Sequence, residues 1–305
     1  MEYRRANRAF MFMMLATIAM TFLATAWYYT SGKEISIIFG NVCRELMVLI
    51  PAIAAVLYSG DSLGSVIPLK KFKITSALLS VLYVLALYPL ISLVNSISML
   101  FVENTVDSMM DSVLGMPIWL MILSIGIVGP FIEEVVFRGF FFHSYKKSGR
   151  ILASIILSAV LFGLMHLNFN QFTYAAVMGV MFCLLVEATG SVWSSFLAHG
   201  LFNTLEVLFI YYSLTNFSDD VEAVEIGRDY GLLPTIGFYF LLAVIFTPIA
   251  ICIVYKIAKI EGREAALNEV LHGKKTGGKL ISIPLIIGAF LALVYMLLDA
   301  LAQYI

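Results

Sequence analysis

The stretch "FIEEVVFRGFFF", residues 131–142, sets two glutamates and an arginine inside an otherwise apolar run. An ionised side chain near the centre of a bilayer costs a few kcal/mol or more, so such a group is by default a functional-site candidate. The run can be read as a membrane span only if the whole chain supports that reading, and it does. Of the 305 residues, 61% are hydrophobic and 13% charged, against roughly 25% charged in soluble domains. The mean hydropathy is +0.95. The chain is therefore expected to be an integral membrane protein whose partner is the lipid bilayer. Its net charge of −1 gives no basic signature for nucleic acid. Cys43, Cys183 and Cys252 lie in apolar runs without paired spacing, so they read as small buried hydrophobes rather than a disulfide framework.

Nine apolar segments approach the ~20 residues a spanning helix needs. They lie at roughly 9–30, 35–59, 74–101, 117–145, 150–168, 172–190, 191–214, 232–258 and 279–303. The expected fold is an all-α polytopic transmembrane helix bundle of eight or nine spans around an intramembrane polar catalytic cavity. Residues 1–116 would form N-terminal helices, 117–214 a core, and 215–305 C-terminal helices. No internal repeat or low-complexity linker divides the chain. At the start, a basic segment, an apolar run and Ala24-Thr25-Ala26 have the outline of a signal peptide. The apolar stretch nevertheless continues through Trp27, Tyr28 and Tyr29, as in an uncleaved span with an aromatic belt.

Loop charges alternate. Arg4, Arg5 and Arg8, then Lys70, Lys71 and Lys73, then Lys146, Lys147 and Arg150, then the lysines and arginine of 256–279 form basic segments. Between them lie acidic or neutral ones, with Glu103, Asp107 and Asp111, the uncharged 168–171, and the acidic loop 215–230. The positive-inside rule then predicts a cytoplasmic N-terminus. The weakest boundary is Thr189-Gly190-Ser191, where two segments meet with almost no loop.

Glu134 and Arg138 are spaced i,i+4 with the acid first, the favourable order for a helical ion pair. Glu133 lies about 100° further round the helix, so Arg138 does not easily serve both. Glu133 needs another partner or a protonated state, which is how a general base or a metal ligand looks. Two histidines lie within apolar segments, His166 in "LFGLMHLN" (161–168) and His199 in "SVWSSFLAHGLFNTLE" (191–206). Asn203 shares a helix face with His199, and Phe162 is one turn before His166, placed to pack beneath it. His143 and His272 lie beside lysine-bearing loops and read as solvated. Counted from the turn near Ser148, Glu133 and His166 sit at depths of about 22 and 27 Å, but His199 lies only about 13 Å past Gly190. Either the Gly190 turn sits inside the protein or the boundaries are displaced. Arg44, Glu45, Glu206, Asp299 and Glu187 are further charges in apolar surroundings with weaker claims, Glu187 as an anchor for the Gly190 turn.

"EEVVFR" has the form E-E-x-x-x-R, "FGLMH" the form F-x-x-x-H, and "HGLFN" the form H-x-x-x-N. In this order, on successive hydrophobic segments, they resemble the CPBP family of intramembrane proteases. That family includes type II CAAX prenyl endopeptidases and bacterial bacteriocin-processing and self-immunity relatives. "FRG" after the glutamates and "EATGSVWSSFLAHGLFN" extend the likeness, which covers about 117–206. The resemblance implies that Glu133 activates water, that Glu134 and Arg138 form a structural pair, that His166 helps hold the water, and that His199 and Asn203 stabilise the oxyanion. It implies an intramembrane endopeptidase acting on a membrane-anchored or lipidated peptide or protein, such as a prenylated CAAX peptide, in a bacterial plasma membrane. Glu133, His166 and His199 would also make a catalytic Zn²⁺ set with an open position. If Glu133 were a ligand, however, a base would be lacking, so the cofactor is either none or Zn²⁺. The competing readings are a non-catalytic scaffold or bacteriocin-immunity protein of the same fold, and a proton-conducting transporter, which the absence of repeats weakens.

Overall fold

The computed structural model describes residues 2–33, 35–104, 116–216, 231–273 and 277–302, the side chains of 213–216 excepted. Glu34, Asp107, Asp111, Lys274, Lys275 and the charges of 217–230 lie outside the described residues. All described regular structure is helical, as expected where lipid cannot satisfy the backbone and each segment must bond to itself. In chain order the helices are α1 (Tyr3–Ser31), α2 (Ile37–Ser59), the single turn α3 (Leu63–Val66), α4 (Ile74–Ser98), α5 (Ile118–Lys146), α6 (Ile151–Met165), α7 (Phe169–Thr189), α8 (Val192–Asn216), α9 (Leu232–Glu261), α10 (Glu264–His272) and α11 (Ile283–Ala302).

Seven of these are long and apolar enough to cross a membrane, not the eight or nine expected from the apolar runs. The difference lies at α6 and α8. The 15 residues of α6 reach about 22 Å, short of a hydrocarbon core of about 30 Å. The 25 residues of α8 are long enough, but His199, Asn203 and Glu206 dilute its apolar run. Both still expose apolar side chains at the bundle surface, Leu152 and Ile156 on α6 and Leu208 and Phe209 on α8.

The centre of the bundle is α5. All eight residues of Val135–Phe142 are buried, so this part of the helix meets protein on every side, with Phe10, Phe137, Phe141, Tyr145 and Phe162 in one core cluster. Two stretches of α5, Ile122–Val128 and Val135–Phe142, are wound as π-helix on either side of the α-helical Gly129–Glu134. Pro130 accounts for the first. It has no N–H for an i−4 bond, and its ring would press on the carbonyl of Gly126, so a wider turn relieves both. The carbonyls this displaces are taken by side chains. Asn203 Nδ2 donates to the Ile125 carbonyl at 3.1 Å, and in the second stretch Ser158 Oγ donates to that of Phe137 at 2.7 Å. His143 Nδ1 sits 2.7 Å from the Arg138 carbonyl, so this half-buried histidine belongs to the fold rather than to the solvent.

The approach of α8 to α5 is close because both lack side chains where they cross. A Cβ on Gly200 would stand 2.8 Å from the Gly126 carbonyl, and one on Gly126 would stand 2.4 Å from Thr204 Oγ1. This crossing sets His199 against Glu133 and Glu134.

The depth mismatch at Gly190 resolves in favour of a turn inside the protein. Gly190 has φ 74°, and its Cα faces the guanidinium of Arg263, which an added Cβ would meet at 3.0 Å. The next residues are covered by the 60–73 segment, with Val192 N donating to Pro68 O at 3.0 Å and Ser191 Oγ to Lys70 O at 2.5 Å. Glu187 anchors the turn as expected. It is buried, bound by Lys146 Nζ at 2.5 and 2.7 Å, and its carbonyl accepts from Arg263 Nε at 2.8 Å.

The close crossing leads to a prediction. Gly200→Ala should lower the thermal midpoint of the detergent-solubilised protein, with an overpacking cost of about 1–3 kcal/mol. Gly40→Ala, whose Cβ would meet nothing within 4 Å, is the control and should leave the midpoint unchanged or raise it. Equal midpoints for the two variants would refute the crossing.

Candidate active site

The site is assembled by α2, α5, α6 and α8. Glu134 and Arg138, one turn apart on α5, form the expected pair, Nη1 to Oε1 at 3.0 Å, with both side chains fully buried. The same Glu134 oxygen lies 2.9 Å from His199 Nδ1. One carboxylate thus holds an arginine on its own helix and a histidine on another. A carboxylate on one ring nitrogen fixes the tautomer and aims the other nitrogen. Here the other nitrogen, Nε2, faces Glu133, 3.7 Å from its Oε2. That separation is too long for a direct hydrogen bond and suits a bridging water.

Aromatic rings support the polar groups from below. The Arg138 guanidinium lies over Phe162 at 4.2 Å and faces Phe182 at 5.4 Å, a cation–π arrangement in a desolvated setting. Phe162 also meets His166 edge-on at 5.1 Å and His199 at 5.8 Å. It therefore packs beneath His166, as its one-turn spacing predicts, and beneath Arg138 and His199 as well. His166 ends α6 with Nδ1 2.9 Å from the Phe162 carbonyl, which leaves Nε2 for other partners. The following Leu167 has φ 57°, a left-handed conformation costly for a residue with a branched side chain. Asn168 then caps α7, accepting from Gln171 N at 2.8 Å.

Asn203 shares the His199 face of α8, but one of its N–H bonds is committed to Ile125 O. Glu206, one turn further along, is bound by the Tyr88 hydroxyl of α4, away from Glu133. Two residues join the site that spacing could not attach to it. Arg44 of α2 lies 3.9 Å from Glu133 Oε1 and 3.2 Å from Glu45 Oε1. Arg44 is thus the counter-charge that Glu133 lacks on α5. Glu45 is buried, and its Oε1 would lie 3.6 Å from a Cβ on Gly129, one turn before Glu133. The available signal was the one that drew attention to Glu133, an ionic pair inside an apolar helix.

Among the described residues, no three His, Cys, Asp or Glu side chains are gathered so as to hold a metal ion. His199 spends one nitrogen on Glu134, and His166 does not complete a ligand set with Glu133 and His199.

Residues 115–205 match the Rce1-like type II CAAX prenyl endopeptidase family. The chain is also 33% identical over 116 residues to "Putative membrane peptidase YdiL" of Bacillus subtilis (strain 168). The matched segment is the one whose three motifs resemble the CPBP family. Its boundaries enclose the three motifs and the whole of α6 and α7, whereas Arg44 and Glu45 lie outside them. The YdiL alignment covers 38% of this chain and 46% of that protein, so the chain spans just under half the length of the relative it matches. No solved structure matches the chain.

The bridging carboxylate yields a double-mutant prediction. Arg138→Met should destabilise the protein by about 3–5 kcal/mol, because it leaves a buried carboxylate without its cation. Glu134→Gln with Arg138→Met should recover part of that loss. Thermal midpoints of the single and double variants in detergent measure the coupling, and additive effects would mean that the pair does not interact.

Proposed function

We propose that the protein is an intramembrane endopeptidase that hydrolyses a peptide bond in a membrane-anchored or lipidated substrate, with water activated by Glu133. The observation that carries this reading is the arrangement of Glu133 and His199 Nε2 across a 3.7 Å gap, with His199 held from behind by Glu134. A water between them donates one hydrogen bond to the Glu133 carboxylate, which takes its proton as the water oxygen attacks the carbonyl carbon. The C–O bond forms, and the carbonyl π electrons pass to the oxygen. His199 and the remaining N–H of Asn203 face the developing oxyanion, and donors already in position there need no reorganisation. Collapse of the intermediate breaks the C–N bond, and Glu133 returns the proton to the departing amine. His166 helps to position the water. Arg44, 3.9 Å from Glu133 Oε1, orients the carboxyl between turnovers.

The type II CAAX description of the matching family favours a prenylated CAAX-type peptide as the first substrate to try. The name of the relative from Bacillus subtilis supports a membrane peptidase in more general terms. The chemistry proposed is metal-free, since the potential donors are not gathered into a ligand set. It also requires no acyl-enzyme, because no serine or cysteine occupies a motif position.

The test is cleavage of a fluorogenic prenylated CAAX-type peptide by detergent-purified protein. Glu133→Gln should abolish cleavage while leaving the thermal midpoint near that of the wild type. If cleavage survives in this variant, the assignment of the base is wrong. A chelator should leave the wild-type rate unchanged, and a loss of rate restored by Zn²⁺ would replace the metal-free mechanism with a zinc one.

A further inference from the structure

The ends of the bundle differ in charge, and contacts within the structure show that each set of ends is assembled as one face. At one face α1 begins with Arg4 and Arg5, the latter's guanidinium 5.8 Å from the ring of Tyr58 at the end of α2. There the backbone N–H of Lys73, at the start of α4, donates to Glu261 at the end of α9 at 2.9 Å. Lys146, Glu187 and Arg263 form their cluster there, and Gly278 N donates to Ser148 O at 3.0 Å. Asn7 joins the same face to the start of α11 through Leu280 O at 2.9 Å, and accepts from Tyr145 at the end of α5 at 2.8 Å. Every basic segment among the described residues is on this face. At the other face, Asn170 at the start of α7 donates to Asn95 and Ser98 at the end of α4, both at 2.8 Å.

A cavity of about 330 Å³ lies in this second half of the bundle, lined among others by Thr21, Arg44, Glu103, His166, Asn168 and Asp299. Each lies on the part of its helix or loop remote from the basic ends. Thr21 is past the middle of α1, Arg44 in the first third of α2, and Glu103 just beyond α4. His166 and Asn168 follow α6, and Asp299 is near the end of α11. The inner wall is Arg44 and His166, which flank Glu133 and Phe162. At the outer end Glu103 is exposed, so the cavity reaches the surface there. Basic segments are retained on the cytoplasmic side of a membrane. The basic face is therefore the cytoplasmic one, and the cavity is on the opposite side.

We infer that the Arg44–His166 cavity is the route of substrate and water to the site, and that it opens on the extracytoplasmic face. The substrate is then a peptide segment presented at the outer surface of the membrane rather than one delivered from the cytoplasm. This rests on the protease reading above for what enters, but not for which way the cavity faces. Polar side chains set among apolar ones along the cavity wall suit an extended peptide, whose backbone groups need partners once they leave water.

The experiment uses the full chain with Cys43→Ser, Cys183→Ala and Cys252→Ser, carrying either Glu103→Cys at the cavity mouth or Lys71→Cys at the basic face. Intact bacterial cells expressing each variant are treated with a bulky membrane-impermeant maleimide, before or after permeabilisation. Glu103→Cys should label in intact cells, and Lys71→Cys only after permeabilisation. In purified protein, alkylation of Glu103→Cys should reduce cleavage of the fluorogenic prenylated peptide towards the level of Glu133→Gln, whereas alkylation of Lys71→Cys should not. Labelling of Glu103→Cys only after permeabilisation overturns the inference, as does cleavage unaffected by alkylation there. If the unlabelled wild type cleaves no peptide, the protease reading fails instead, and the labelling pattern still decides which way the cavity faces.

Discussion

Glu134 is a buried carboxylate with two obligations. Its Oε1 meets Arg138 at 3.0 Å and His199 at 2.9 Å, with all three side chains buried. Neither charge could stay ionised alone in such a place without a large desolvation cost, and together they are tolerated because attraction offsets much of it. The consequence is geometric. Arg138 is held over Phe162, and His199 is turned so that its free nitrogen looks at Glu133. The chemistry proposed for Glu133 depends on that aim, which a histidine free to rotate would not keep.

Such aim requires α5 and α8 to cross at a fixed distance. The absence of side chains at Gly126 and Gly200 allows the approach, and the π-wound turn around Pro130 exposes the Ile125 carbonyl to Asn203. The irregular winding of α5 is therefore part of the site's construction, since it gives α8 a hydrogen-bond acceptor that a regular helix would have kept for itself. At the other end of α8, the buried Gly190 turn is pinned by Arg263 and Glu187, so the helix that carries His199 is held at both the turn and the crossing.

The site is not confined to the segment that matches the family model. Arg44 reaches Glu133 from α2, and α1 and α11 supply walls of the adjoining cavity. The cavity beside the motif residues, which His166 lines, is thus walled largely by residues outside the matched region. Differences in what such proteins admit can arise there without disturbing the motifs.

Much of this was legible in the sequence for simple reasons. The all-helical membrane fold follows from long apolar runs, because lipid leaves the backbone no other way to bond. The Glu134–Arg138 pair follows from i,i+4 spacing, and the placement of Phe162 beneath His166 from the same geometry. The covered Gly190 turn follows from a depth mismatch of about one helical half-length. The span count differs because an apolar run does not fix helix length, which is 15 residues in α6, and because polar residues interrupt the run in α8. Local spacing likewise gave no means of seeing that Glu134 also holds His199, 65 residues away, or that Arg44 is the cation beside Glu133. Periodicity relates residues a turn or two apart on one helix. Contacts between helices depend on how those helices cross, and here small residues, a proline-widened turn and a shared buried charge decide the crossing.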